Sequence, residues 1–122
     1  MFTISKRFGF AASHVLTDLP DGHPCARLHG HNYRVELVLA AEHLDDTGFV
    51  VEYGRLEPFR HFLNECLDHR HLNDLLATQP SAEQLAGWLH AWCAANLEAD
   101  LVRHLVAVLV SETDATWAEY RP

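Results

Sequence analysis

Apolar and polar residues alternate in two stretches of the first third of the chain. Apolar side chains favour the even positions of residues 2–14 and the odd positions of residues 29–39. A period of two residues is typical of a strand that buries one face. We therefore predict two strands here, joined by a loop over residues 18–24, where proline, glycine and aspartate cluster.

The hydrophobic period lengthens to that of a helix in the middle of the chain. Over residues 56–67 apolar residues recur every three or four positions, and Pro58 falls in the first turn, where its missing N–H is tolerated. A second helix is predicted over residues 81–97, because Ser81 and Gln84 have the spacing of a capping box. Two helices are therefore expected between the early strands and the last part of the chain.

The last part of the chain returns to strand patterning. Residues 105–112 and 116–120 are predicted as two strands around a turn at Thr113 and Asp114. The order strand, strand, helix, helix, strand, strand is typical of an α+β domain with a mainly antiparallel sheet. Because each open edge of such a sheet can pair with another chain, we expect the edges to be used in a homo-oligomer.

Composition favours one globular domain over residues 1–122. Hydrophobic residues make up 48% and charged residues 21%, near the average for folded domains. The net charge of −8 argues against a general nucleic-acid surface, and no apolar run approaches the ~20 residues of a membrane helix. The first residues lack the pattern of a signal peptide, so a cytoplasmic location is expected.

The three cysteines include no CxxC pair. Cys66 and Cys93 fall on the apolar stripes of the two predicted helices, so we expect both side chains to lie in the core.

Histidine is unusually frequent, with ten in a chain of 122 residues. His29 and His31 are two apart in a predicted strand, so both side chains point to one face. His14 ends the first strand and has the parity of that strand's core-facing residues. If the two strands pair, His14 comes alongside His29 and His31. Three converging histidines outline a catalytic zinc site with its fourth position open. Chance spacing in a histidine-rich chain and a structural zinc site completed by Cys25 are the alternatives.

Three further positions are candidates for acid–base or binding chemistry. Cys25, in the loop between the first two strands, is a candidate reactive thiol if Arg27, a zinc ion or an imidazolium stabilises its thiolate. Asp68 is adjacent to His69 and could orient its imidazole, although the same pair also suits a polar helix end. Glu112 shares the parity of apolar neighbours, so it lies either at the sheet rim or against a guanidine-like edge of a ligand.

Five segments follow the pattern of a known family, in the same order along nearly the whole chain. They are FAASH at residues 10–14, GHPCARLHGHN at 22–32, LDHRHLND at 67–74, PSAEQLA at 80–86 and SET at 111–113. Together they resemble the 6-pyruvoyltetrahydropterin synthase / 6-carboxytetrahydropterin synthase family. The resemblance implies the tunnelling fold, a four-stranded antiparallel sheet with two helices on one face. It also implies a barrel-like homo-oligomer, commonly a hexamer built as a dimer of trimers.

The same resemblance implies a role for most of the candidate site residues. The implied ligands of Zn²⁺ are His14, His29 and His31. The implied catalytic residues are Cys25 as general base and the pair Asp68 and His69 as its relay, while Glu112 would anchor the pterin and Thr113 would line the pocket. Separately, Arg27 is our candidate for binding a triphosphate group, with Lys6 or Arg7 of a neighbouring subunit as further candidates.

The spacing between Cys25 and His29 distinguishes branches of this family. Three intervening residues resemble the bacterial carboxytetrahydropterin synthases of 7-deazapurine and queuosine biosynthesis. The implied function is that of a zinc-dependent lyase, which converts 7,8-dihydroneopterin triphosphate to 6-carboxy-5,6,7,8-tetrahydropterin, acetaldehyde and triphosphate. The alternatives are a pyruvoyl-forming synthase and a zinc- or pterin-binding module without catalysis. The chain departs from the family pattern at Glu52-Tyr53, where Asp-Phe is usual, and at Glu57, where lysine is frequent.

Overall fold

The two early strands pair along their whole length in the computed structural model, which describes residues 1–122. β1 (Phe2–His14) and β2 (His29–Ala41) are antiparallel, with Phe2 opposite Ala41 and His14 opposite His29. This register places the even positions of β1 and the odd positions of β2 on one face of the sheet. That face is buried, as the alternation predicted.

The sheet has five strands in the order β3-β1-β2-β4-β5. β4 (Leu105–Thr113) and β5 (Thr116–Tyr120) continue it antiparallel beside β2, so all four predicted strands and the α+β class are confirmed. The sheet has one strand more than the four antiparallel strands expected. β3 (Arg70–His71) pairs parallel with β1 and makes the sheet mixed. A strand of two residues has no hydrophobic period, so the sequence pattern could not indicate it.

The helical part of the chain contains more elements than predicted. The first predicted helix is divided into a 3-10 turn (Tyr53–Leu56), α1 (Glu57–Phe62) and a π-helical turn (Leu63–Leu67). Pro58 lies in the first turn of α1, as expected. The second predicted helix is α2 (Ala82–Asn96), and a third helix, α3 (Ala99–His104), follows it. The six residues of α3 are too few to establish a helical period in the sequence.

The capping residues explain where two of these elements begin. Oγ of Ser81 accepts a hydrogen bond from the amide of Gln84 at 3.2 Å, so Ser81 is the N-cap of α2. The reciprocal half of the predicted capping box is absent, because the Gln84 side chain lies 3.5 Å from the hydroxyl of Thr78 instead. Glu52, a departure from the family pattern, caps the 3-10 turn by accepting from the amide of Gly54 at 2.9 Å.

The core lies between the buried face of the sheet and the helices. Phe8 of β1 meets Phe59 of α1 edge to face, with ring centroids 5.0 Å apart. Cys93 is fully buried as predicted, and burial raises its pKa to about 12. Cys66 is exposed, so its predicted place in the core is wrong: it lies on the π-helical turn, where the helical spacing used in the prediction breaks down. None of the helices combines the length and apolar composition needed to cross a membrane.

Candidate metal centre

Three histidines meet at the end of the sheet where β1 stops and β2 starts. His14 is the last residue of β1 and is fully buried, while His29 and His31 are the first and third residues of β2. The register places His14 opposite His29 and leaves His31 one step further along the same face. One ring nitrogen from each residue lies within 4.8 Å of the other two. The structure therefore brings together the three residues that the sequence pattern predicted to converge.

Backbone carbonyl groups orient two of the three rings. Nδ1 of His14 lies 2.8 Å from the carbonyl oxygen of Pro80, and Nδ1 of His29 lies 2.7 Å from that of Arg27. A carbonyl oxygen can only accept, so both Nδ1 atoms carry the proton. In the neutral rings, the two Nε2 atoms, 2.9 Å apart, both carry lone pairs that face each other. A cation between them would turn this repulsion into coordination.

His31 completes the donor set with an unsatisfied nitrogen. Its Nε2 is buried and has no hydrogen-bond partner. Burial lowers the pKa of His31, the nearby Glu112 carboxylate opposes this shift, and His14 and His29 add to it. A neutral imidazole with a free nitrogen is the form that binds metal ions. Three such nitrogens fit a metal ion that prefers imidazole, with a coordination position left for another ligand.

Tyr33 lies against the three histidines from the core side. Its hydroxyl is 3.2 Å from Nδ1 of His14, and its ring stacks on Phe10 with centroids 5.1 Å apart. Burial, and to a lesser extent Glu112, raises the pKa of this phenol, so it stays protonated. The sequence analysis did not single out Tyr33, although its odd position in β2 puts it on the parity of His29 and His31. That parity was the signal that could have found it.

Glu112 and Thr113 lie at the end of β4, beside His31. Oε2 of Glu112 is 3.6 Å from Nε2 of His31, and its side chain is partly exposed. A cleft of about 380 Å³ is lined by Glu112 and Thr113 together with His31 and Asn32. The hydroxyl of Thr113 is 3.0 Å from that of Thr116 across the β4–β5 turn. A ligand in this cleft can therefore contact the carboxylate and the metal centre at once.

Asp68 and His69 form a fixed pair on the other side of the metal centre. Oδ2 of Asp68 lies 2.8 Å from Nδ1 of His69, and Oδ1 of Asp68 accepts from the amide of Ala11 at 2.9 Å. The hydrogen bond from Ala11, followed by that from His69, lowers the pKa of Asp68. The pair is thus an anionic carboxylate that orients an imidazole, and the predicted juxtaposition is present in the structure.

The backbone of His69 has an unusual conformation. Its φ of 60° lies in the left-handed region, which residues with a side chain rarely adopt. The amide of His69 donates to the carbonyl of Ala11 at 2.6 Å, so β1 holds the turn in place. The exposed imidazole lines a cleft of about 570 Å³ together with His31. Strain of this kind persists where the surroundings enforce it, and it is common at functional sites.

Cys25 and Arg27 lie on the connection between β1 and β2. Cys25 is in a 3-10 turn (Pro24–Ala26), where its amide donates to Nδ1 of His23 at 3.1 Å and its carbonyl accepts from Leu16 at 3.2 Å. Arg27 is exposed and contacts the metal centre only through its carbonyl group, which orients His29. Neither side chain lines the two clefts beside His31. The structure therefore gathers seven of the nine predicted site residues and leaves the side chains of Cys25 and Arg27 outside both clefts.

Comparison with known proteins agrees with this fold and site. A family model described as 6-pyruvoyl tetrahydropterin synthase matches residues 3–122. The 6-carboxy-5,6,7,8-tetrahydropterin synthase of Synechocystis sp. is 35% identical, over 98% of this chain and 93% of that protein. The protein of the same name from Bacillus subtilis is 30% identical, over 99% of this chain and 86% of that protein. The chain therefore belongs to the 6-pyruvoyl tetrahydropterin synthase family, and it is an enzyme of that family.

Solved structures establish the fold independently. The 6-pyruvoyl tetrahydropterin synthase of Caenorhabditis elegans superposes with a TM-score of 0.85 at 22% identity, covering 99% of this chain and 95% of that one. The Plasmodium falciparum protein of the same name gives a TM-score of 0.79 at 19% identity, covering 99% and 97%. The predicted tunnelling fold is thereby confirmed.

Proposed function

We propose that the protein is a zinc-dependent 6-carboxy-5,6,7,8-tetrahydropterin synthase. Its substrate is 7,8-dihydroneopterin triphosphate, which with one water yields 6-carboxy-5,6,7,8-tetrahydropterin, acetaldehyde and triphosphate. The pterin ring is reduced as its side chain is oxidised, so no external redox cofactor is required. The product serves 7-deazapurine synthesis, including that of queuosine. The observation that carries the proposal is the meeting of three imidazole nitrogens with the Glu112 carboxylate and the Asp68–His69 pair.

In this proposal His14, His29 and His31 hold the zinc ion. When bound, the ion acts as a Lewis acid that makes the substrate's side-chain hydroxyls and the adjacent C–H bonds more acidic. The carbonyl groups of Pro80 and Arg27 keep two of the rings in the tautomer that binds metal. The chain thus supplies three ligands, and the orientation of two of them is set by backbone carbonyl groups.

Glu112 anchors the pterin ring. A carboxylate can accept two parallel hydrogen bonds from the 2-amino and N3–H groups of the ring, an arrangement that is selective for this edge. Glu112 lies at the end of β4, and Thr113 next to it lines the same cleft. Because Glu112 is beside His31, a ring held by its carboxylate places the substrate side chain towards the three histidines.

Cys25 and His69 move the protons. Cys25 acts as the general base that removes a proton from the substrate side chain, and it lies four residues before His29 on the connection between β1 and β2. Asp68 accepts the Nδ1–H of His69, which leaves Nε2 of that ring to give or take a proton in the cleft. Arg27, on the same loop as Cys25, favours the thiolate and the anionic substrate.

The protein acts as a homo-oligomer, which we take to be a hexamer formed as a dimer of trimers, in the cytoplasm. Two features of the sheet support assembly through its edges. β3 covers only Ala12 and Ser13 of β1, and β5 is an exposed strand at the opposite edge. Unpaired strand edges are templates for pairing with another chain. Sedimentation analysis of the purified protein tests the oligomer, and a monomer at micromolar concentration would contradict it.

The test of the reaction is product analysis by mass spectrometry. Zinc-loaded protein is incubated with 7,8-dihydroneopterin triphosphate, and Cys25→Ala is compared with Cys66→Ala, a change of an exposed cysteine that lines neither cleft beside His31. We expect 6-carboxytetrahydropterin and acetaldehyde from the parent protein and from Cys66→Ala, with strong loss in Cys25→Ala. A pyruvoyl product that retains all the carbon atoms would reassign the protein to the sister activity. Zinc and pterin binding without turnover would mean a binding module.

A further inference from the structure

The cleft shared by His31 and His69 has an unusual charge for this chain. The protein carries 17 acidic residues and a net charge of −8, yet no aspartate or glutamate lines this cleft of about 570 Å³. Its polar lining includes Arg70, His31, His69 and His71. A cleft whose lining holds an arginine and no carboxylate favours an anionic ligand over the rest of this acidic surface, and the nearby Asp68 and Glu112 each lie against a histidine of the cleft.

Most permanent cations of the chain are already neutralised by carboxylates. Six of the nine lysine and arginine residues make ion pairs: Lys6, Arg7, Arg34, Arg55, Arg60 and Arg121. The pairs include Lys6 with Glu57 and Arg7 with Glu36. These two cations, considered above for the triphosphate, are therefore engaged within their own subunit.

The three arginines without an ion pair differ in position. Arg103 lies at the end of α3, and Arg27 lies on the loop with its side chain outside both clefts. Of these three arginines, only Arg70 lines the cleft shared by His31 and His69. It is thus the single permanent cation of the cleft and has no carboxylate competing for it.

The backbone holds Arg70 in place while its guanidinium stays available. Arg70 is in β3, in register with Ala12 of β1, directly after the strained residue His69. The Nη2 atom of Arg70 donates a long hydrogen bond of 3.4 Å to the carbonyl oxygen of Glu65. An arginine has five N–H donors, so most remain free for a ligand.

We propose that this cleft is the subsite for the phosphate chain of the substrate, and that Arg70 rather than Arg27 is its principal cation. The identity of the anion rests on the proposed function; the anion preference itself rests on the charges of the cleft. A guanidinium can hold two oxygens of a phosphate in parallel, and this geometry is both strong and selective. The subsite opens at His31, so a phosphate chain held by Arg70 leads to the metal centre.

Kinetics and anion binding of matched arginine variants test the subsite. Arg70→Gln, Arg70→Lys, Arg27→Gln and Arg103→Gln are compared with the parent as zinc-loaded proteins. We expect Arg70→Gln to raise KM for 7,8-dihydroneopterin triphosphate about tenfold or more, as for loss of a charge-assisted hydrogen bond. Arg70→Lys should recover part of the loss. Arg103→Gln should leave KM unchanged. Arg27→Gln should raise KM less than Arg70→Gln does.

Two non-reacting probes separate charge recognition from damage to the fold. Inorganic tripolyphosphate should inhibit or bind Arg70→Gln about tenfold more weakly than Arg103→Gln, whereas phosphate-free 7,8-dihydroneopterin should bind both equally. Equal weakening of both probes, or an Arg70→Gln variant with unchanged KM and tripolyphosphate binding, would overturn the subsite. If the parent turns over no substrate but tripolyphosphate binding depends on Arg70, the proposed reaction fails while the anion subsite is supported.

Discussion

Nε2 of His14 and Nε2 of His29 lie 2.9 Å apart, although each ring already donates its Nδ1–H to a backbone carbonyl. Two acceptor nitrogens at this distance repel each other unless a proton or a metal ion lies between them. Nε2 of His31, buried and without a partner, points to the same requirement. The arrangement of the three nitrogens is therefore one that a bound metal ion would stabilise.

The first prediction concerns metal content. We expect about one zinc ion per chain in the parent protein and strong loss in His31→Ala, because two histidines alone bind the ion weakly. Zinc at about 100 times its Kd should raise the free energy of unfolding by about 2.7 kcal/mol. Elemental analysis and thermal unfolding with and without a chelator measure both effects.

The control for metal content is His43→Ala, because His43 is exposed on a loop away from the site. Loss of zinc in this variant as well would point to non-specific binding by a histidine-rich chain.

The second prediction concerns Tyr33, whose hydroxyl contacts Nδ1 of His14. Tyr33→Phe keeps the ring that stacks on Phe10 and removes only the hydroxyl. Because outer partners of a ligand orient it, we expect zinc affinity to fall by about tenfold, measured by competition with a chromophoric chelator. Tyr120→Phe, at an exposed position of β5, serves as the control and should bind zinc like the parent. Unchanged affinity in Tyr33→Phe would show that the Pro80 carbonyl alone orients His14.

The third prediction is a pH dependence that arises from Asp68. The amide of Ala11 and the imidazole of His69 keep the pKa of Asp68 below its usual value of 3.8. A carboxylate with a depressed folded-state pKa stabilises the fold above its unfolded-state pKa, and this contribution is lost as the pH falls through the folded-state value. Asp68→Asn keeps an oxygen for Ala11 but loses the charge.

We therefore expect Asp68→Asn to unfold at lower urea concentration than the parent near neutral pH. The difference should disappear well below pH 3.8, where the parent carboxylate is also protonated. A difference that stays constant over this range would mean that the charge of Asp68 does not contribute to stability.

The fourth prediction concerns the start of α2. Ser81 caps this helix through the amide of Gln84, and the preceding carbonyl of Pro80 holds His14. Ser81→Ala should lower the free energy of unfolding by about 1 kcal/mol, the usual value of an N-cap. Urea denaturation measures this, with Ser5→Ala on the exposed side of β1 as the control. Equal stability of the two variants would contradict a capping role.

The strand pairs, the helical segments and the N-cap at Ser81 follow from local patterns, and the structure contains each of them. The misses have physical causes. β3 and α3 are too short to carry a period, and the π-helical turn at Leu63–Leu67 shifts Cys66 out of the stripe on which a regular helix would place it. The sequence does not mark Tyr33 as a site residue, because tyrosines in strands are common in hydrophobic cores. Its role becomes visible only from the contact between its hydroxyl and His14.

Which residues share a face can be read from the local sequence, because the parity of His14 in β1 and of His29 and His31 in β2 is a property of an extended chain. Whether these faces meet depends on the folded sheet, because the register that sets His14 opposite His29 arises from pairing along the whole strand. A slip of one residue would move the side chains of one strand to the opposite face of the sheet. The Pro80 carbonyl that orients His14 and the Ala11 backbone that fixes Asp68 and His69 come from distant parts of the chain. Such contacts form only when packing brings separate segments together, and no local pattern records them.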